Sequence, residues 1–272
     1  MPELPEVETF ARGLREPLVG RTFTGVSVYW ARNIAYPTLE EFETQIVGRR
    51  VDTVGRRGKY VVITLDRGYL LVHLKMTGAL RVLPAGEPVH PHVRVLFDLD
   101  DGRQLRFRDP RKFGRIYLVD AVAQVTGHLG PEPLTDDLTL DAFCALLQRR
   151  KGRLKSLLLN QEFTAGIGNI YANEALFAAR LHPERRANTL TRQEQADLYH
   201  AIRQVLARAI DAGGTTLRDG GYTDAEGEAG RFQVDLAVHD RARQPCRVCG
   251  TPIERLVVGA RSAYFCPHCQ PE

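Results

Sequence analysis

The apolar positions change their period twice along the chain. Residues 3 to about 16 carry the spacing of a helix, with Glu3, Glu6 and Glu8 in the first turns, where the positive helix end favours carboxylates. Pro17 is expected to end it. From Thr22 to about Val119 short β-rich runs alternate with turn residues. Residues 24–29, 60–65, 69–74, 93–98 and 115–119 read as strands, and Asp66-Arg67-Gly68 and Asp100-Asp101-Gly102 as hairpin turns. Runs of this kind over about 120 residues predict a β-sandwich. Gly127-His128-Leu129-Gly130-Pro131-Glu132-Pro133 reads as a linker. Beyond it the period turns helical, over 140–149, 154–160, 170–180 and 192–212. The last helix is the best marked: Thr191 and Glu194 make a capping box, Leu198, Ile202, Val205 and Ala209 form one stripe, and Gly213-Gly214 follow. Residues 218–233, broken by glycine and small residues, read as a mobile loop. The pattern predicts an α+β chain. Its β-sandwich domain with the N-terminal helix spans 1–126, a linker 127–135, a helical domain with the loop 136–236, and a terminal element 237–272.

Composition changes this picture little. The 272 residues are 43% hydrophobic and 26% charged, a globular balance that argues against disorder. No apolar stretch approaches the roughly 18 residues of a membrane helix, and no signal peptide opens the chain, so a cytoplasmic protein without a membrane partner is expected. The net charge of +4, from 37 cations against 33 acidic residues, points to no partner by itself. Its distribution does. Six cations fall between Arg103 and Arg115 against the single anion Asp109, and five lie between Arg149 and Lys155. Five more arginines follow from Arg241 to the end against two glutamates. Three such clusters are either solvated faces or a surface for a polyanion.

Four of the five cysteines sit at the end as Cys246-x2-Cys249-x16-Cys266-x2-Cys269, the spacing of a four-thiolate zinc site. With no oxidising compartment indicated, two disulfides are the weaker reading. A segment with so few large apolar side chains needs the metal to fold. A closed sulfur shell makes one zinc ion structural and leaves it no open position for catalysis. His268 between two of these cysteines reads as a bystander, and Cys144 on the apolar face of a helix as core.

The N-terminus carries the sharpest chemistry. After Met1 comes Pro2-Glu3-Leu4-Pro5-Glu6-Val7-Glu8-Thr9. A small second residue permits removal of the initiator methionine, which would leave a secondary amine beside the Glu3 carboxylate. An α-amino group ordinarily titrates near pH 8, well below lysine, so more of it is nucleophilic at neutral pH. Such an amine can attack the anomeric carbon of a sugar and form an iminium, with a carboxylate moving the proton. Taken alone, Pro-Glu at a chain start is ordinary helix-start chemistry.

The opening motif resembles the signature of the formamidopyrimidine-DNA glycosylase family. So do Arg57-Gly58-Lys59-Tyr60, His73-Leu74-Lys75-Met76-Thr77-Gly78, Asp109-Pro110-Arg111-Lys112-Phe113-Gly114 and Gly166-Ile167-Gly168-Asn169-Ile170-Tyr171-Ala172. The four cysteines complete the order, and the resemblance covers essentially the whole chain. It implies a bifunctional DNA glycosylase and AP lyase of base-excision repair. Such an enzyme removes 8-oxoguanine and formamidopyrimidines from duplex DNA and cuts the strand by β,δ-elimination. It further implies a helix–two-turns–helix element in the helical domain, a zinc-finger hairpin, no organic cofactor, and a monomer working on damaged double-stranded DNA at the bacterial nucleoid.

By the resemblance, Pro2 is the nucleophile of the Schiff base and Glu3 the proton donor at the sugar. Lys59 is the proton donor for β-elimination, and its charge could hold the proline amine unprotonated. Arg261 grips phosphate and serves δ-elimination. Met76, Arg111 and Phe113 fill the void left by an extruded base, roles that suit a flexible apolar chain, a planar hydrogen-bonding cation and an aromatic wedge. Glycine and polar neighbours argue for loop tips at Met76 and Phe113, where a methionine and a phenylalanine would otherwise read as core. Asn169 follows two glycines at a helix start and meets phosphate there. His73, His90, Arg150, Lys151 and Lys155 map onto backbone or lesion contacts. Two other readings remain: an endonuclease VIII-like glycosylase of oxidised pyrimidines, and a zinc-ribbon DNA-binding protein without catalysis. The lesion excised separates the first, and covalent trapping the second.

Overall fold

The structure, a computed structural model, describes residues 1–217 and 222–272. It divides into two compact units, one made of residues 1–128 and 212–231, the other of 129–211 and 232–272.

Unit 1 opens with helix α1 (Leu4–Leu18). Its start is held by a reciprocal cap, in which Glu6 Oε2 accepts from the backbone N–H of Glu3 at 2.7 Å. Pro17, expected to end the helix, lies inside its last turn, and the helix closes one residue later where Val19 N–H donates to the Arg15 carbonyl. Phe10, Leu14 and Leu18 project from one face at helical spacing and are fully buried.

That face completes a sandwich of two sheets. The four-stranded sheet has the order β1 (Phe23–Val28), β7 (Val93–Leu99), β8 (Arg103–Arg108), β6 (Ala79–Pro84). The five-stranded sheet has the order β2 (Ile34–Tyr36), β9 (Arg115–Val119), β5 (Tyr69–His73), β4 (Tyr60–Leu65), β3 (Val51–Arg57). Among the described residues only the β2–β9 pair is parallel. Alternation puts Val61, Ile63 and Val72 on the inner face of one sheet and Val95, Phe97 and Phe107 on that of the other, in a single core with α1. The β-rich stretch also contains a helix the periodicity did not mark, α2 (Leu39–Ile46), capped by Thr38 and Glu41 and burying Phe42 and Ile46. A four-residue helix, α3 (Ala123–Thr126), follows β9.

In unit 2, α4 (Leu140–Gln148) and α6 (Asn169–Ala178) pack on α7 (Arg192–Asp211), and α5 (Leu154–Leu159) packs on α6. The stripe Leu198, Ile202, Val205 and Ala209 of α7 is buried, and Thr191 and Glu194 cap it as expected. The chain ends in the hairpin β10 (Glu254–Val258) and β11 (Arg261–Phe265), and β11 also packs on α6.

Two placements differ from the sequence reading. Residues 212–231 belong to unit 1, whereas the pattern put everything to 236 with the helices. Of the expected loop 218–233, residues 218–221 lie outside the described residues. Tyr222 packs edge-on to Phe10 at 5.6 Å and joins the sandwich core with Ala225. Apolar side chains carried on an irregular segment leave no period, so only packing reveals them.

Glu8 pins α1 to β3 through Arg56, at 3.2 Å in a poorly exposed pair, and also meets Arg12 at 2.9 Å. Burial alone would raise its pKa, but the hydrogen bond from Arg12 and the charge of Arg56 outweigh it and hold the carboxyl below its ordinary 4.5. A carboxyl depressed in the folded state stabilises the fold above its unfolded pKa, and that stabilisation is lost as pH falls through the folded value. Glu8→Gln should therefore destabilise the protein at pH 7 by at most about 1 kcal/mol, the usual ceiling for partly exposed pairs. The gap in melting temperature between the two proteins should close below pH 4.5. A gap that persists in acid would mean that the ion pair is not its cause.

Candidate active site and nucleic-acid interface

The expected site residues fall in both units. In unit 1, Pro2 and Glu3 lie buried at the entry to α1. Glu6, which the sequence reading took only as a first-turn acid, has a second task there. Its Oε1 accepts from the backbone N–H of Thr215 at 2.8 Å, so one buried carboxylate binds the start of α1 and the segment after α7.

Lys59 sits in the two-residue turn between β3 and β4, where Arg57 pairs with Tyr60. Gly58 takes the left-handed φ of +58° that such a turn requires and that a side chain would strain. Lys59 is nearly buried. On the adjacent strand end, His73 packs edge-on to Tyr60 at 4.6 Å. Burial, then the charges of Lys75 and Lys59, push the His73 pKa down to about 3, so the ring is neutral. Its Nδ1 accepts from the Lys75 backbone N–H at 3.0 Å, which puts the proton on Nε2. The fold thus brings Lys59, Lys75 and an imidazole donor to one end of the five-stranded sheet. His90 is exposed on the segment before β7.

Met76 and Phe113 are 41% and 46% exposed, at loop tips rather than in the core. What holds two apolar side chains in water is Asp109, which is fully buried. Its Oδ1 accepts from the Thr77 hydroxyl at 2.7 Å and its Oδ2 from the backbone N–H of Gly114 at 2.7 Å. One carboxylate therefore locks the Met76 loop to the Phe113 loop. Gly114 must be glycine, since a Cβ there would lie 2.3 Å from Phe107 Cζ. At the surface the Arg111 guanidinium stacks on Phe113 at 4.9 Å, and Lys112 Nζ lies 3.9 Å from the Trp30 ring centre. The sequence reading missed Asp109 and Trp30. The isolated anion among six cations was the available signal for the first.

In unit 2, Asn169 begins α6 behind Gly168, with Oδ1 buried and without a partner among the described residues. Arg150 and Lys151 are exposed ahead of α5. Lys155, expected at the DNA backbone, is instead fully buried and spends its ammonium on the Asn169 carbonyl at 2.9 Å and on Asn173 Oδ1 at 2.6 Å. Basic spacing cannot separate a cation that faces solvent from one that a neighbouring helix supplies with acceptors. Arg261 is exposed as the first residue of β11, after a Gly259-Ala260 turn.

The four cysteine sulfurs all lie within 4.8 Å of one another, with neighbouring pairs at 3.4–4.0 Å. A disulfide is about 2.05 Å. Four thiolates about 2.3 Å from one zinc ion stand about 3.8 Å apart, so the donor set fits a tetrahedral metal and no disulfide. His268 stands outside the set.

Family models match three segments: the formamidopyrimidine-DNA glycosylase N-terminal domain over residues 1–116, the H2TH domain of that enzyme over 129–220, and a zinc finger found in FPG and IleRS over 243–271. The formamidopyrimidine-DNA glycosylase of Herpetosiphon aurantiacus is 49% identical across 99% of this chain and 100% of its own. The chain belongs to the formamidopyrimidine-DNA glycosylase family. The Chloroflexus aggregans glycosylase is 48% identical over 99% of this chain and 98% of its own. Among solved structures, the Thermus thermophilus MutM (FPG) protein matches with a TM-score of 0.89 at 43% identity, over 100% of this chain and 99% of that one. A Lactococcus lactis FPG mutant in complex with Fapy-dG-containing DNA matches over 100% of both chains, with a TM-score of 0.92 at 31% identity. The α+β architecture of sandwich, H2TH helices and zinc hairpin is that of this glycosylase family, and its four-cysteine cluster is a structural zinc site.

Two outcomes follow for these parts of the glycosylase. Asp109→Ala leaves the buried Gly114 N–H and the part-buried Thr77 hydroxyl without their acceptor and should destabilise unit 1 by about 1–3 kcal/mol. Excision should fall further than affinity for undamaged duplex does, as measured by single-turnover rates and titration. An equal loss in both would take Asp109 out of the wedge. Cys266→Ser opens the sulfur shell, so zinc content should drop to near zero and DNA affinity should weaken while unit 1 keeps its melting transition. Full affinity in a demonstrably zinc-free variant would refute this.

Proposed function

We propose that the protein excises 8-oxoguanine and formamidopyrimidine bases from duplex DNA in base-excision repair, and that it cuts the strand at the resulting abasic site. The observation that carries this reading is the pair of exposed apolar tips, Met76 and Phe113, locked together by the buried Asp109 in a chain of this glycosylase family. Flipping a base out of a duplex costs a few kcal/mol of stacking, and an apolar wedge held rigid recovers part of it. Arg111, which stacks on Phe113, hydrogen-bonds the orphaned partner base in this reading.

In this reading the Pro2 amine attacks C1′ and the bond to the damaged base breaks, the base leaving with the proton that the amine gives up. The sugar ring then opens: the C1′–O4′ bond breaks, Glu3 protonates O4′, and the proline nitrogen and C1′ form an iminium. Loss of a C2′ proton breaks the C3′–O bond, with Lys59 protonating the departing phosphate, and a second elimination on the 5′ side is served by Arg261. Pro2 can begin this only as a chain end, because a proline nitrogen acylated by Met1 has no free lone pair. Asn169, His73 and Arg261 hold the phosphates, with His90, Arg150 and Lys151 as further contacts. Phosphate contacts of this kind set the salt dependence, while the wedge sets lesion selectivity. A bacterial cytoplasm is the compartment in which this chain meets its DNA. Excision of oxidised pyrimidines in place of oxidised purines would favour the endonuclease VIII-like alternative.

Borohydride added to the protein with lesion-containing duplex should trap a covalent complex whose mass places the sugar on Pro2. A variant with one extra residue blocking the terminus should give no complex, and an intact-mass measurement confirms which terminus is present. Trapping that survives the block would overturn the assignment of Pro2.

A further inference from the structure

Three buried polar side chains in unit 2, Lys155, Asn173 and His239, have no part in the mechanism above. Lys155 on α5 places its ammonium between the Asn169 carbonyl and Asn173 Oδ1, at 2.9 and 2.6 Å. A buried ammonium is tolerated only when its donors are satisfied in this way. Asn173 lies one helical turn beyond Asn169 on the same face of α6. Its Oδ1 also accepts from the Tyr264 backbone N–H of β11 at 3.4 Å, which identifies that atom as the oxygen. Nδ2 is therefore the donor to His239 Nδ1, at 2.8 Å.

His239 must then accept through Nδ1 and carry its proton on Nε2, because a protonated ring would set donor against donor. Burial first, and the Lys155 charge second, push its pKa down to about 4, in agreement with a neutral ring. Glu174 lies beside it on α6, and Tyr264 packs on its ring from β11 at 5.3 Å. The Glu174 carboxylate accepts from the backbone N–H groups of Ala237, Val238 and His239 at 2.7, 3.0 and 2.8 Å. The chain entering the zinc element and the strand inside it are thus both tied to the helix that begins with Asn169.

We propose that Asn173 is a positioning residue for DNA binding: it sets the first turn of α6, and with it Asn169, from the zinc hairpin and from His239. The inference rests on the assignment of Asn169 to the DNA backbone. Asn173 itself is buried, out of reach of a ligand at the surface. It acts through the Lys155 ammonium and the carbonyl that ammonium holds.

The test uses the zinc-loaded protein and a duplex carrying a stable abasic-site analogue. Asn173→Ala and Asn169→Ala should each weaken binding about tenfold, or about 1.4 kcal/mol. The double variant should be no weaker than Asn169→Ala alone, since the first change acts through the second residue. In turnover the loss from Asn173→Ala should fall more on KM than on kcat. His239→Phe keeps the ring volume but removes the acceptor, and should weaken binding severalfold. His239→Gln returns an acceptor and should restore it. This pair also decides the matter should Asn173→Ala fail to fold. Additive losses of about a hundredfold in the double variant, or equal binding by the Phe and Gln variants, would overturn the inference while leaving the phosphate assignment standing. Unchanged binding by Asn169→Ala would remove that assignment and the inference with it.

Discussion

An apolar side chain can be held in water only if something else fixes its backbone, and in this protein a buried carboxylate does so. Met76 and Phe113 gain nothing from their own exposure. Their loops keep one conformation because Asp109 has no solvent to turn to and must find its donors in Thr77 and Gly114. Burial makes those hydrogen bonds obligatory, and two loops far apart in sequence become one rigid edge. The same constraint recurs at Glu6, whose buried carboxylate closes the start of α1 and holds Thr215. The proposed insertion of these tips into stacked bases requires that stiffness, since a loop that yields on contact would return none of the unstacking cost.

The two units solve the problem of stability differently. In unit 1, facing sheets and α1 bury a continuous apolar core, and the site is arranged at its edges: the Gly58-Lys59 turn, the end of β5, and the loops after β5 and β8. The terminal hairpin has no such resource, since only a few apolar side chains pack around its cysteines. Its fold is closed by four sulfurs around one ion and by buried hydrogen bonds to α6. Arg261 is consequently presented at a tight turn whose geometry depends on metal chemistry, whereas Lys59 is presented by ordinary sheet packing.

Electrostatics follow the same division between exposed and buried charge. His73 stays neutral because burial and two neighbouring ammonium groups oppose its protonation, so it can offer phosphate a hydrogen bond but no charge. Arg111 and Lys112, by contrast, are spread over aromatic rings at the surface, where their charge stays available to a polyanion. Lys155 is the opposite case, a cation whose charge is used up inside the protein.

The amino-acid sequence determined most of the elements, since the β-rich runs over 60–65 and 115–119 and the 3.6-residue stripe of α7 each mark one element by its local pattern. Cysteine spacing determined the metal site, because two C-x2-C turns place four sulfurs around one ion whatever the surrounding fold. Glycine and polar neighbours sufficed to bring Met76 and Phe113 out of the core. Only the tertiary structure decided that residues 212–231 join unit 1, that Asp109 locks two loops, and that Lys155 is buried. The physical reason is common to all three. Periodicity and spacing describe how a segment meets its own neighbours, whereas a charge can be buried only if distant elements arrive carrying the donors or acceptors that satisfy it.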